Sequence, residues 1–256
     1  MTVLSVRGMS VNFGGVQALS NVDIEVGEGQ LVGLIGPNGA GKTTFIDAIS
    51  GFVRCRGRVE LSGRDLSRLP AHARARRGLA RTWQSIELFD DLTVWENLAV
   101  AVEHTSVLEQ LREMFRGRVV TPVACQKALE TLGLSDHAQR LATELSHAER
   151  KLVGVARALA AQPRLICLDE PAAGLDTTQR ADLGRRLRAM ADGGTATLLV
   201  DHDMGLVLSV CDHVVVLDFG KVIAAGPPEA VRQNPAVVTA YLGGAAAEVV
   251  PTGAGS

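Results

Sequence analysis

The chain has 256 residues, 46% of them hydrophobic and 21% charged, enough to bury a full core in one large domain or in a core with a small appended lobe. A net charge of −2 and a pI near 6.3 give no whole-chain reason to expect nucleic acid as a partner. No run approaches the roughly 20 apolar residues that cross a bilayer, Met1 to Met9 lacks a charged-then-apolar signal pattern, and Cys55, Cys125, Cys167 and Cys211 form no Cys-x-x-Cys pair, which reads as reduced cysteines in a cytosolic protein.

Residues 1–35 alternate short β-rich runs with glycine turns at Gly8, Gly14-Gly15 and Gly27-Glu28-Gly29, which predicts an antiparallel lobe beside a first core strand, Leu31 to Ile35. Next comes Gly36-Pro37-Asn38-Gly39-Ala40-Gly41-Lys42-Thr43, placed between that strand and a helical segment. In such a loop the glycines let successive backbone N–H groups close around phosphate oxygens, the lysine reaches the outer phosphates, and the hydroxyl at the helix start can ligate Mg²⁺. The pattern says that the chain binds a nucleoside triphosphate. Lys42 to Ser50 opens the loop's helix, Gly51 ends it, and Val59 to Leu61 reads as another strand. The arginines from Arg54 to Arg81, Arg74 among them, are dense enough to read as a solvated basic face.

From 93 to 160 the apolar positions recur at helical spacing, as in Val94, Leu98 and Val102 and again Leu129 and Leu132, with breaks near Gly117 and Thr121-Pro122. Strand-like runs return at Leu165 to Leu168, Ala196 to Val200 and Val214 to Leu217, separated by the amphipathic stretch Thr177 to Met190, a pattern that predicts a helix-covered, mainly parallel sheet. Leu165 to Leu168 ends in Asp169-Glu170, a buried strand delivering two carboxylates at its C-terminal edge. There the two acids divide the labour: Asp169 holds the Mg²⁺ shell, and Glu170 orients and deprotonates the water that attacks the γ-phosphate. Residues 244–256, rich in Gly and Ala, read as a frayed tail.

With both nucleotide motifs in place, the sequence resembles the ATP-binding subunits of ABC transporters over nearly all of Leu4 to Gly243. The resemblance implies an α/β fold: a P-loop ABC-type ATPase core, residues 1–92 and 160–243, with an antiparallel β lobe, and a helical lobe at 93–159. It implies that ATP and Mg²⁺ bind, with Phe13 stacking on the adenine; Gly36, Asn38, Gly39, Ala40, Gly41, Lys42, Thr43 and Thr44 around the phosphates; and Thr43, Gln84 and Asp169 about the metal. By the same resemblance Gln84, in Arg81-Thr82-Trp83-Gln84, faces the membrane partner, Glu170 serves the water, His202 contacts the γ-phosphate, and Ser146, Ala148 and Asp176 reach the nucleotide of a second subunit. Leu79 to Gln84 with Leu88-Phe89, Glu170 to Leu175, Asp201 to Met204 and the ending Ala240-Tyr241-Leu242-Gly243 are similar to importers of branched-chain amino acids, urea or amides. Lipopolysaccharide-exporter ATPases share Leu69-Pro70 and the segment from His72 to Gly78.

One departure stands out. The signature, usually Leu-Ser-Gly-Gly-Gln in this family, here is Leu145-Ser146-His147-Ala148-Glu149. A β-carbon replaces glycine where the backbone approaches phosphate, while Ser146 and Glu149 have the spacing of a capping box for the following helix. A complete loop, acid pair and switch histidine beside an altered signature suggest a second ATP-binding subunit, a different chain in preference to an identical copy. Separate transmembrane permeases, and through them a solute-binding protein, complete the implied assembly at the cytoplasmic face of the membrane. A soluble ABC-type ATPase of a cytosolic assembly machine and an exporter ATPase share the same motifs; a non-hydrolysing subunit is disfavoured by Glu170 and His202.

Overall fold

The computed structural model describes residues 1–83, 85, 87–102 and 123–247, the last six as backbone. Strands β1 (Thr2–Phe13), β2 (Val16–Gly27), β4 (Arg56–Leu61) and β5 (Arg64–Asp65) form an antiparallel sheet in the order β2-β1-β4-β5. Gly8, read from sequence as a turn, does not interrupt β1. It takes φ +61 at a register shift between Val6 and Met9, a bulge that lets one long strand bend while still pairing with β2.

The second sheet runs β10-β9-β3-β8-β7-β6, with β3 (Leu31–Ile35), β6 (Leu79–Arg81), β7 (Leu165–Asp169), β8 (Ala196–Val200), β9 (His213–Asp218) and β10 (Lys221–Gly226). All its pairings are parallel except that of β10 with β9. Alternation along each apolar strand divides the interior. Val32 and Leu34, Leu165 and Cys167, Leu198 and Val200, and Val215 and Leu217 join the antiparallel sheet and helix α1 (Lys42–Ser50) in one core cluster. Leu31 and Ile35, Ile166 and Leu168, Leu199, and Val214 and Val216 face the other way, into a second cluster built with helices. Both faces of the sheet are thus covered, which is why these strands read as continuous apolar runs.

The helices of that second layer are α3 (Val94–Val102), α4 (Val123–Thr131), α5 (His147–Ala160), α6 (Thr177–Asp192) and α7 (Met204–Val210). A five-residue helix α2 (Ala71–Ala75) precedes β6, and α8 (Pro228–Arg232) and α9 (Pro235–Ala247) follow β10. The sequence breaks expected near Gly117 and Thr121-Pro122 lie outside the described residues. Helix α9 continues to Ala247, into the segment read as a tail, and residues 248–256 are outside the described residues. Cys167 is fully buried, and desolvation pushes its thiol up to about 12, so it behaves as a small apolar core residue.

Arg74 departs from the basic face expected of its neighbours. Its guanidinium is buried and donates to the carbonyls of Ala48 and Ile49 at 2.8 Å each, of Leu69 at 2.9 Å and of Ser67 at 3.2 Å. The last carbonyls of α1 lack regular i+4 donors, although Ala48 O also accepts from Gly51 N–H at 3.2 Å, and the planar fork of an arginine supplies several donors at once. Arg74 therefore fixes the C-terminal end of the helix whose N-terminal end carries Lys42. Arg74→Met should lower stability by about 2–4 kcal/mol, because several buried carbonyls lose their donors together. Urea unfolding measures this, and an unchanged midpoint would show that water replaces the fork.

Candidate nucleotide site

The loop from Gly36 to Gly41 is shaped by close backbone approach. A β-carbon on Gly36 would lie 2.2 Å from the Leu217 carbonyl oxygen, and one on Gly41, at φ +105, would lie 2.8 Å from Leu19 Cδ2 and 2.9 Å from the Ala18 oxygen. Gly39 differs. At φ +80 its missing side chain would point into open space, where a phosphate can reach the backbone amides. The loop is braced by Ala40 N–H donating to Pro37 O at 3.1 Å, Gly220 N–H to Ala40 O at 3.0 Å and Ser20 N–H to Gly220 O at 2.8 Å. That last pair ties the loop to β2, the strand that returns from the hairpin tip where Phe13 stands 51% exposed.

Lys42 is buried, and its Nζ donates to Gly36 O at 2.7 Å and Pro37 O at 3.1 Å, so the ammonium lies across the loop with one proton left to give. Burial lowers its pKa from the ordinary lysine value, against the upward pull of Glu170, Asp201 and Asp169. Thr43 is exposed and Thr44 half-buried in the first turn of α1, beside exposed Asn38 and Gly39. Positive helix-end dipole, free amides and the ammonium all favour a polyanion here.

Strand ends β7 and β8 supply the opposing carboxylates. Asp169 is buried; Arg81 donates to its Oδ2 at 2.8 Å, while Oδ1 has no hydrogen-bond partner. Burial raises the carboxyl above the usual carboxylate range, opposed by the hydrogen bond and charge of Arg81. An unpartnered buried oxygen suits a metal-bound water. Among the described residues no group of three or more His, Cys, Asp or Glu forms a metal cage.

Glu170 follows with φ +47, a left-handed conformation that costs a non-glycine residue about 1–3 kcal/mol. Three contacts hold it: its N–H donates to Val200 O at 2.7 Å, and its carbonyl accepts from Ala173 N–H at 3.2 Å and from the buried Lys151 Nζ at 3.4 Å. His202 Nδ1 stands 3.7 Å from Glu170 Oε2 and 3.6 Å from Asp201 Oδ1. Asp201 is fully buried and accepts from the N–H groups of Ala172 at 3.3 Å and Asp203 at 2.9 Å, locking the Glu170 turn to the His202 turn. The fold therefore gathers Lys42, Asp169, Glu170 and His202 at one sheet edge, as Lys42's response to the acids indicates. Gln84 lies outside the described residues.

Ser146 and Asp176 are each a helix N-cap. Ser146 Oγ accepts from Glu149 N–H at 3.3 Å while Glu149 Oε2 accepts from Ser146 N–H at 2.7 Å, the capping box read from the sequence. Asp176 and Gln179 form a second box at the start of α6. His147 is exposed, its Nε2 3.4 Å from where a Gly174 β-carbon would stand, and half-buried Ala148 packs on the helical core. Sequence reasoning passed over Lys151, and named Asp201 and Arg81 only within family-like motifs or among the basic residues, without a role of their own. Asp201 had a signal, its place beside His202 at the end of an apolar strand; Lys151 had none, since a cation on a helix reads as exposed.

Residues 19–173 match the family model described as ABC transporter, and residues 221–247 match that of the branched-chain amino acid ATP-binding cassette transporter. The chain is 39% identical over 249 residues to the high-affinity branched-chain amino acid transport ATP-binding protein BraF of Pseudomonas aeruginosa, covering 94% of this chain and 98% of the relative. It is 40% identical over 254 residues to LivG of Salmonella typhimurium, with the same coverages, and 35% identical over 246 residues to the lipopolysaccharide export system ATP-binding protein LptB of Haemophilus influenzae, covering 95% of this chain and 98% of that one. Among solved structures, an ATP-binding cassette of an ABC transporter in its ADP conformation aligns with a TM-score of 0.81 at 32% identity, over 95% of this chain and 99% of that chain.

The loop geometry makes a direct prediction. Gly36→Ala forces a methyl onto the Leu217 carbonyl, and the displaced loop should lower nucleotide affinity at least about tenfold, or 1.4 kcal/mol. Equilibrium binding of ATP without Mg²⁺ is the measurement; parent-like affinity would mean that the loop's amides are not the phosphate contacts.

Proposed function

This chain belongs to the ABC transporter family as an ATP-hydrolysing importer subunit that works with separate membrane permeases, and we propose that its importer carries branched-chain amino acids or related small polar solutes. The observation that carries the solute class is the match of residues 221–247 to the branched-chain amino acid cassette model, a segment beyond the catalytic motifs, together with identities of 39–40% to BraF and LivG. The likeness to ATP-binding subunits of transporters supports a peripheral place at the cytoplasmic face, with a solute-binding protein acting indirectly through the permease; no helix among the described residues is long and apolar enough to cross a membrane.

In this reading residues 1–243 act as one ATP-binding domain. Phe13 stacks on the adenine, and the amides from Gly36 to Gly41, Lys42 and Thr44 hold the phosphates. Thr43 and Gln84, with Asp169 acting through water, would hold Mg²⁺, which would supply charge neutralisation at the phosphoryl group. Glu170 accepts the proton of the attacking water, and His202 donates toward the γ-phosphate; the 3.7 Å between them leaves both groups free for the substrate instead of spending them on each other. The buried Asp201 keeps that separation fixed. Support for these roles is the gathering of the side chains at one edge and the strained backbone at Glu170.

Ser146, Ala148 and Asp176 stand at two helix starts, whose positive ends suit an anion, and in this reading they reach the nucleotide of a second ATP-binding subunit. His147 and Ala148 in place of two glycines favour a different chain as that partner over an identical copy. Glu170→Gln should keep ATP binding and slow turnover at least about a hundredfold, as loss of a general base does. Phosphate-release kinetics measure it; turnover within a fewfold of the parent would assign the water to another group.

A further inference from the structure

The reaction as derived leaves unused a buried cation paired with carboxylates. Arg81, at the end of β6, has a side chain only 6% exposed and forks between two carboxylates from separate elements. One arm donates to Asp47 Oδ1 on α1 at 2.5 Å, the other to Asp169 Oδ2 on β7 at 2.8 Å. Asp47 lies four residues past Thr43, on the same helix face. The guanidinium plane is covered by Trp83, whose ring centroid is 4.1 Å from Arg81 Cζ. Trp83 in turn meets Phe52 edge to face, with centroids 5.1 Å apart at 70°. These two rings are 45% and 57% exposed.

We propose that Arg81 is a positioning residue that holds Asp169 so that its unpartnered Oδ1 faces the metal shell of the bound nucleotide, and that it relays the state of that site to the exposed Trp83–Phe52 pair. The proposal rests on the ATPase reading above. Its physical basis is a charge imbalance. Two carboxylates share one guanidinium, so the cluster carries one surplus negative charge in a poorly solvated place. A divalent cation near Asp169 offsets that surplus and weakens the carboxylate's hold on Arg81, which then leans toward Asp47. Because Trp83 stacks on the guanidinium plane, the lean changes the environment of its indole. A lysine has no fork and cannot span the two carboxylates.

The test uses the Glu170→Gln full chain, so that ATP is not consumed. ATP affinity in EDTA should stay within about twofold for Arg81→Gln, since Lys42 and the loop amides are intact, while the Mg²⁺ concentration that half-saturates the ATP complex should rise at least about tenfold. Arg81→Lys should show the same rise despite its retained charge. Unchanged Mg²⁺ half-saturation in an Arg81→Gln protein of parent-like ATP affinity would overturn the proposal. Removing one partner from a buried charge cluster is strongly destabilising, so a second measurement stands if these variants do not fold. With Trp95→Phe, Trp83 is the sole tryptophan. Its emission should then shift when Mg²⁺ is added to the ATP-bound chain, and an unmoved spectrum would equally overturn the relay. A parent chain that fails to bind ATP at all would sink the ATPase reading, and this proposal with it; a parent that binds Mg²⁺-ATP normally confines any failure to Arg81.

Discussion

Three glycines that admit no side chain hold this fold's working parts together. Gly36 packs on Leu217 of β9, and Gly41 and Gly220 both pack on the backbone of Ala18 in β2. Each contact includes a main-chain carbonyl, so the loop from Gly36 to Gly41, the hairpin bearing Phe13 and the β9–β10 turn meet at van der Waals distance with no room for a side chain between them. A loop held this way arrives at the phosphates already shaped, and the ordering entropy is spent in folding, not in binding. The antiparallel sheet is thereby locked to the parallel one at the loop proposed to hold the nucleotide.

Charge at the sheet edge is arranged by the same logic. Lys42 and Lys151 are both buried, and burial lowers both from the usual lysine value while Glu170 and Asp201 pull them up. Asp169 is raised by burial and answered by Arg81. Neighbouring groups of opposite sign offset one another's desolvation, which lets several charges occupy a region that would reject any one of them alone.

Much of this was legible in the chain. Apolar runs of four or five residues gave the parallel strands, because burial on both faces writes itself as continuous hydrophobicity; β6, three residues long and beginning after an arginine-rich stretch, carried too little pattern to be seen. Ser146 and Glu149 announced their capping box because capping is a local contact three residues apart. Gly8 misled, since a glycine at positive φ serves a bulge as well as a turn. Arg74 and Arg81 misled for a different reason: composition cannot tell a solvated arginine from one whose donors are claimed by carbonyls and carboxylates distant in sequence. Asp201 and Lys151 belong to the same class, with roles that exist only once β7, β8 and α5 converge.

The order of the parallel sheet has a consequence for how the protein is made. Strand β3, which ends in the phosphate loop, pairs with β8 and β9, whose residues begin at 196 and 213. During synthesis at roughly 5–20 residues per second, β3 must wait about 10–40 s for its neighbours to appear. Through that interval its five apolar residues have no sheet to enter, and the loop that follows has no Leu217 carbonyl to close against. The nascent chain is then most exposed to misassociation, and the nucleotide has nothing to bind until the β9–β10 turn has been translated.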